Sequence, residues 1–336
     1  MANFWQTLPK PFTALAPMAG VTDVVFRNLC KQQGADVVYT EFVCVDAVAH
    51  DSKKTFSMMK FNPDEQPVVV QLFGKNPSLF KQSASIIESL GFSGIDINFG
   101  CPAYKVVRHG GGVSLMRQPS RCRELIESTL AGTKLPVSIK IRASINKKTS
   151  ETEIDKEMNK EWDSCNNTGI VTALDLLEEV KDLPISAVML HARSYEQPFD
   201  GVPDWNIVKE AKKLFKGVLM ANGGITSPEI AKEVLEITGA DGLGIARGAW
   251  GRPWLFKQIK DYLKTGTYHE PSWEEIKQVM VRHAELALRD KGEHGMLELR
   301  KHLGWYVKGM ENAKEMRKEL VTVNNVEDVR KILERW

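Results

Sequence analysis

The chain has 336 residues, 43% of them hydrophobic and 26% charged, and its 45 Lys and Arg against 43 Asp and Glu leave a formal net charge of +2. Such a length exceeds one average domain but suits a barrel of about 250 residues with a small appendage, and the composition excludes a disordered chain. Near-neutrality excludes nucleic-acid binding through bulk charge, so any such binding must use a local basic face.

The amino-terminal stretch MANFWQTLPKPF lacks the charged start and apolar run of a signal peptide, and no segment is long and apolar enough to cross a bilayer. The five cysteines, Cys30, Cys44, Cys101, Cys122 and Cys165, show no CxxC spacing, which points to a reducing cytoplasm and free thiols.

In chain order, short β-branched or apolar runs bounded by turn residues predict strands at 13–17, 37–41, 68–73, 94–98, 137–141, 187–191, 218–221 and 242–246. Amphipathic segments of helical length fill most gaps, as at Gln82, Ser83, Ile86, Ile87 and Leu90, and again at Ala173, Leu174, Leu177 and Val180. Eight such units specify an α/β fold, the closed parallel (β/α)8 TIM barrel, over residues 1–256. Each strand ends in a residue useful for binding or chemistry: Met18, Glu41, Gln71, Asn98 with Cys101, Lys140 with Arg142, His191 with Arg193, Asn222 with Gly223 and Gly224, and Gly244 with Arg247. In a barrel these ends converge on the face that carries active sites.

The fifth connection, about residues 143–170, is a long polar insertion that leaves from that face, either a lid or RNA contact or an ornament. Beyond Trp254 the strand pattern stops and the sequence predicts a helical domain, 257–336, with helices near 273–289, 295–309 and 326–333 and caps at Ser272 and Asn325. Within it Arg300, Lys301, His302, Trp305, Tyr306 and Lys308 mix basic and aromatic groups in the manner of RNA contacts, although Trp305 serves equally well as core.

The seventh and eighth strand ends read ANGGITSPEI and GLGIARGAWGRPW. Glycines directly after a strand, then Ser227 and Pro228 at a helix start, then Arg247 after the next strand, form the frequent phosphate site of TIM barrels. Lys140 aims an ammonium into the mouth, where it needs a negative partner such as the N1–O2 edge of a reduced flavin. Gln71, His191 and the backbone of Ala16, Pro17 and Met18 offer hydrogen bonds to the rest of such a ring. FMN fits better than a dinucleotide because no GxGxxG follows a strand at the head of a βαβ unit. Gly223, Gly224 and Gly244 belong to the same expected cofactor turns, and no metal site is expected. Cys101 sits on a turn with Pro102, and Lys105, Arg108 and His109 are expected to lower its thiol's pKa, while Gly110 to Gly112 are expected to admit a large ligand.

The segments APMAGVTDVVFR, TEFV, VVQLFG, IDINFGCPAYKVVRHGGG, PVSIKIR, HARSYEQPFDGVPDW, ANGGI, GIARGAWGRPWLF and RKHLGWYVKG closely resemble those of the dihydrouridine synthases, nearest the bacterial B-type branch, over residues 10–320. The resemblance implies FMN-dependent, NADPH-driven reduction of the C5–C6 bond of uridine in tRNA, and the protein is expected to be cytoplasmic, away from membranes and monomeric. It implies hydride delivery to C6, with Cys101 as the general acid at C5. Met18, Gln71, His191, Asn222, Gly224, Ala246 and Arg247 match the flavin shell, Asn98 and Arg193 match positions near the uracil, and Glu41, Lys105 and Arg142 at the mouth with Arg300 and Lys301 in the tail complete the implied substrate side. Ser194 and Tyr195 depart from the family's more common Thr-Arg, and the insertion after Arg142 is unusual.

Other readings stay open at this point. They are a dihydrouridine synthase acting on ribosomal RNA, a small-molecule FMN dehydrogenase of the dihydroorotate or dihydropyrimidine type, and a barrel that binds RNA without catalysis.

Overall fold

The computed structural model describes residues 3–108, 110–146 and 169–336. His109, Cys165 and the body of the insertion lie outside the described residues, and with them the expectations of a cation at 109 and of a lid. Strands are numbered in chain order: β1 Phe12–Leu15, β2 Val37–Cys44, β3 Val68–Phe73, β4 Gly94–Phe99, β5 Val137–Arg142, β6 Ser144–Asn146, β7 Ile170–Thr172, β8 Ala187–His191, β9 Val218–Asn222 and β10 Gly242–Ile245.

The eight long-range strands close in the order β1-β10-β9-β8-β5-β4-β3-β2, all parallel, as the sequence predicts. They are buried along almost their whole length on both faces, which is why they read as continuous apolar runs and not as alternating ones. Trp5, on a short 3-10 turn before β1, is fully buried against Phe12 and Tyr39 and fills the N-terminal end of the barrel interior. A thicker apolar layer joins the outside of the barrel to its helices, among them Pro77–Ser89 and Ala173–Glu179.

Three features differ from the sequence reading. The ends of the insertion are strands: β6 and β7 pair antiparallel with Ile145 and Val171 buried, so the excursion is built on a ribbon rooted at the mouth. Helices Leu255–Thr265 and Ala313–Leu320 were not predicted, because each is short and heavily charged. The expected domain division at residue 257 falls inside the first of these, and its Leu255, Phe256 and Ile259 belong to the barrel's apolar layer. A second core starts after it and gathers Met280, Met296, Leu303, Met316 and Leu333 with Val25 and Leu29 of the barrel helix Val24–Gln32. Ser272 and Asn325 do cap helices, through Glu275 N and Asp328 N, and Gly292 interrupts the run Trp273–Tyr306. Among the described residues no helix is long and apolar enough to cross a membrane.

Candidate active site

Because all eight barrel strands run the same way, their C-terminal ends share one rim, and there they open into a cavity of about 900 Å³, near the upper limit of ordinary ligand sites. Its wall contains Ala16, Pro17 and Met18 after β1, Gln71 on β3, Asn98 and Cys101 at the end of β4, Lys140 and Arg142 on β5, His191 and Arg193 at β8, Asn222, Gly223 and Gly224 at β9, and Gly244, Ala246 and Arg247 at β10. The thiol of Cys101 and the ammonium of Lys140 therefore open onto the same space.

Four expected residues do not line it. Glu41 turns back to accept from the backbone N–H of Gly20. Lys105 is exposed on the short helix after Cys101. Arg300 donates to the carbonyls of Thr322 and Val323 and to Asn324 Oδ1, holding the turn before the last helix. Lys301 is exposed beside the β1 loop, its Nζ 3.8 Å from where a Cβ on Gly20 would stand.

A chain of side-chain amides fixes the loop that carries Cys101. Asp96, fully buried on β4, accepts from Ser138 Oγ and from Gln71 Nε2, both at 2.6 Å. Gln71 Oε1 in turn accepts from Asn98 Nδ2 at 2.8 Å, and Asn98 Oδ1 accepts the backbone N–H groups of Gly100 at 3.1 Å and Cys101 at 2.8 Å. An ionised carboxylate can only accept, so Asp96 dictates which way both amides point. Burial drives the Asp96 carboxyl up to about 6 against the two hydrogen bonds that favour its charge. Nothing in the local sequence marks Asp96 as part of the site, since it reads as one polar residue inside a strand.

The thiol differs from the expectation of a lowered pKa. Burial pushes Cys101 up, and the cations that pull it back are Lys140 and Arg142, with the Ala103 backbone, not Lys105 and Arg108. Removal from water outweighs the charges, so the group keeps its proton at neutral pH. The glycines after it also do something other than admit a ligand. Gly112, at φ +62°, lies where a Cβ would meet the Cys101 carbonyl at 2.7 Å and Val106 at 2.8 Å, so it lets the loop close on itself.

Five cationic side chains line the cavity, Lys140, Arg142, Arg193, Arg247 and Lys308, and no carboxylate does among the described residues. Lys140 Nζ donates to Asn222 Oδ1 at 3.1 Å, while Asn222 Nδ2 donates to the Gly244 carbonyl at 2.7 Å. Burial, then repulsion from Arg142, lowers the Lys140 ammonium to about 8. Arg142 donates to the carbonyls of Gly100 at 2.9 Å and Ser194 at 2.8 Å, and Arg193 to that of Gly201 at 2.6 Å. His191 is held neutral, its pKa lowered to about 2 by burial and then by Lys140, Arg142, Arg193 and Arg247. A neutral imidazole surrounded by cations is a hydrogen-bonding group and not an acid at physiological pH.

A family model described as dihydrouridine synthase matches residues 14–335. The chain belongs to the dihydrouridine synthase family. It is 35% identical over 314 residues to a probable tRNA-dihydrouridine synthase of Rickettsia conorii and to tRNA-dihydrouridine synthase B of Pseudomonas aeruginosa, in each case over 93% of this chain and 88% of the relative. Among solved structures it resembles histamine dehydrogenase from Rhizobium sp. 4-9, with TM-score 0.51 and 13% identity over 82% of this chain and 48% of that one. Morphinone reductase is similar at TM-score 0.50 and 12% identity, over 81% of this chain and 91% of its own. At such identities the likeness is one of fold, the (β/α)8 barrel.

As a dihydrouridine synthase the chain is an oxidoreductase, and its site includes aromatic residues that the sequence did not single out. Phe199, in the loop after β8, stacks toward His191 with ring centroids 6.4 Å apart and lies under Arg247 at 4.7 Å and Arg142 at 5.5 Å, and its carbonyl accepts from Arg247 at 2.6 Å. Phe42 and Trp250 also reach the wall, as does Trp305, which the sequence reading places among RNA contacts or core. The spacing of Phe199 from His191 is irregular, so only the fold of the intervening loop brings them together.

Proposed function

We propose that this dihydrouridine synthase reduces uridines of tRNA to 5,6-dihydrouridine, with FMN in the barrel mouth and NADPH as the reductant. The observation that carries the reading is a protonated thiol and an ammonium facing one cavity whose wall has five cations and no carboxylate among the described residues. The names of the relatives support tRNA as the RNA.

The donor set suits FMN. Arg247 with the glycine turns at β9 and β10 would hold its phosphate, and Lys140 would lie against the electron-rich edge of its ring. Gln71 spends one N–H on Asp96 and keeps the other for a ligand, beside Ala16, Pro17, Met18 and neutral His191. When bound there, FMN would supply hydride-donating chemistry for C6 of the uracil.

Cys101 acts at C5. Its proton is present at neutral pH because burial outweighs the nearby charges, and Lys140 and Arg142 lower the cost of the thiolate left after transfer. Asn98 acts mainly as a positioning residue, since both ends of its amide hold the Cys101 loop and Gln71. Arg142 and Arg193, each tied to backbone carbonyls, keep further N–H donors for the nucleotide. A paired uridine cannot enter so enclosed a site, so the target base must leave its stack. Exposed Lys308 beside Trp305 would meet the RNA backbone at the rim.

The test is reduction of unmodified tRNA by the purified, FMN-loaded protein with NADPH, followed by mapping of dihydrouridine. Reduced product from tRNA but not from ribosomal RNA, free uridine or orotate is expected. Turnover of a free pyrimidine with none on tRNA would overturn the reading.

A further inference from the structure

We propose that the helical tail is a working part of the flavin site: Trp305 is a positioning residue that sets, through Trp250, where Met18 stands in the cavity wall. The proposal rests on the reading of that cavity as the FMN site.

Trp305 stands on the long helix Trp273–Tyr306, and Trp250 on the loop after β10. Their indoles stack with centroids 4.5 Å apart and planes 7° from parallel. The Trp250 Nε1–H points at Met18 Sδ, 3.2 Å away. Met18 follows β1 and lines the cavity beside the expected ring contacts. A path of three side chains, each of which also reaches the cavity wall, thus runs from the tail to Met18.

The path has little slack at the tail end. The edge of His302, itself buried, meets Trp305 at 4.8 Å and 70°, so the indole is gripped from two sides. Backbone meets backbone beside it: a Cβ on Gly251 would stand 2.4 Å from the Trp305 carbonyl carbon, and no flexible side chain lies between them to absorb a shift. A separate tie holds the same β1 loop. Lys291 of the tail pairs with Asp23 at 2.7 Å, and Asp23 caps the helix that follows by accepting from Phe26 N at 2.9 Å. The loop that carries Met18 is therefore held near its start by Trp250, on which the tail's Trp305 stacks, and at its end by the tail's Lys291. An aromatic pair of this kind stabilises its geometry beyond the area it buries, and a flexible thioether takes the position that its neighbours set.

The experiment uses the full chain and reads the dissociation constant of FMN by quenching of flavin fluorescence. Loss of the stack in Trp305→Ala is expected to weaken FMN about tenfold, and Trp305→Phe, which keeps an aromatic face, should stay within about threefold of wild type. Met316→Ala, which cuts the tail's own core far from the stack, should lower thermal stability and leave FMN affinity unchanged. Trp250→Phe keeps a stack but removes the N–H that faces Met18, and should weaken FMN even if Trp305→Ala does not fold. Wild-type affinity in both Trp305→Ala and Trp250→Phe overturns the proposal, and so does an equal loss in Met316→Ala. A wild-type protein that takes up no FMN overturns the reading of the cavity instead.

Discussion

At the N-terminal end of the barrel Asp241, just before β10, holds Lys10 at 2.7 Å, Lys212 at 2.5 Å and the backbone N–H of Leu219 at 2.9 Å. Asp36, before β2, holds Lys260 at 2.5 Å and the N–H of Thr13 at 2.8 Å. At the C-terminal end Lys140, Arg142, Arg193, Arg247 and Lys308 gather around one cavity, and among the described residues none of them forms an ion pair within 4 Å. One end satisfies its charges from within, whereas the other keeps four of its five cations on neutral carbonyls and amides. Like charges held together cost stability, and the arrangement makes sense when a ligand brings the negative charge. In barrels of this fold polar residues at the closed end generally serve stability and those at the open end binding and chemistry.

Breaking the open end at its acid should have the largest effect. Cys101→Ala is expected to lower dihydrouridine formation by about 10²–10⁴-fold, the usual range for a general acid, while FMN affinity and melting temperature stay near wild type. Single-turnover assays on tRNA would check it, and full activity would remove Cys101 from the chemistry.

At the closed end the expected damage is to stability alone. Asp241→Ala strands two lysines and a buried N–H, and should cost about 2 kcal/mol in urea unfolding with the FMN dissociation constant unchanged. The Asp241 carboxyl is held below its usual range by Lys10, Lys212 and the Leu219 N–H, whose pull exceeds the opposing effect of burial. A lowered folded pKa gives stability that is present above the unfolded pKa and lost as pH falls through the folded one. The deficit of the variant should therefore shrink on acidification.

Lys140→Met carries the opposite sign. Removing a half-buried ammonium that forms no ion pair among the described residues should stabilise the ligand-free protein at pH 7 while weakening FMN about tenfold. The folded pKa of about 8 lies below the unfolded value of about 10.4, so wild type binds fewer protons folded than unfolded between them. Wild-type stability should rise over that interval and close the gap to the variant, which urea midpoints on either side of the interval would show.

The smallest effect concerns the thiol itself. With its pKa raised, Cys101 carries less thiolate than a free cysteine at any given pH, so its alkylation at pH 7 should be slower than that of an unstructured peptide. The rate should still climb with pH after the peptide's has levelled off. Iodoacetamide labelling of wild type against Cys101→Ala isolates the signal, and fast labelling at pH 7 would mean that the cations prevail.

Much of this site was legible in the chain. The strand predicted at 187–191 matches β8, and His191 and Arg193 at its end line the cavity. Lys140 at the end of VSIKI faces the mouth because β5 runs parallel to its neighbours. Tail residues were harder to read. Arg300 looks like a phosphate contact beside Trp305 but is engaged with the Thr322–Asn324 turn, and only the packing of the last helix decides that. Helix Leu255–Thr265 ends the barrel although its composition resembles the tail's, because the side chains it buries face the barrel's helices.

By itself the sequence determined the eight strands, their direction and the polar groups at their tips, because burial on both faces demands continuous apolar runs and a closed parallel barrel brings every tip to one rim. Only the tertiary structure decided the state of those groups. Whether Cys101 loses or keeps its proton depends on water excluded by distant segments as much as on charges close in the chain. The orientation that Asp96 imposes through Gln71 and Asn98, the seating of Phe199 between two guanidinium groups and the stack of Trp250 on Trp305 all join residues far apart in sequence. Such contacts exist only after the chain has closed on itself, so no local pattern encodes them.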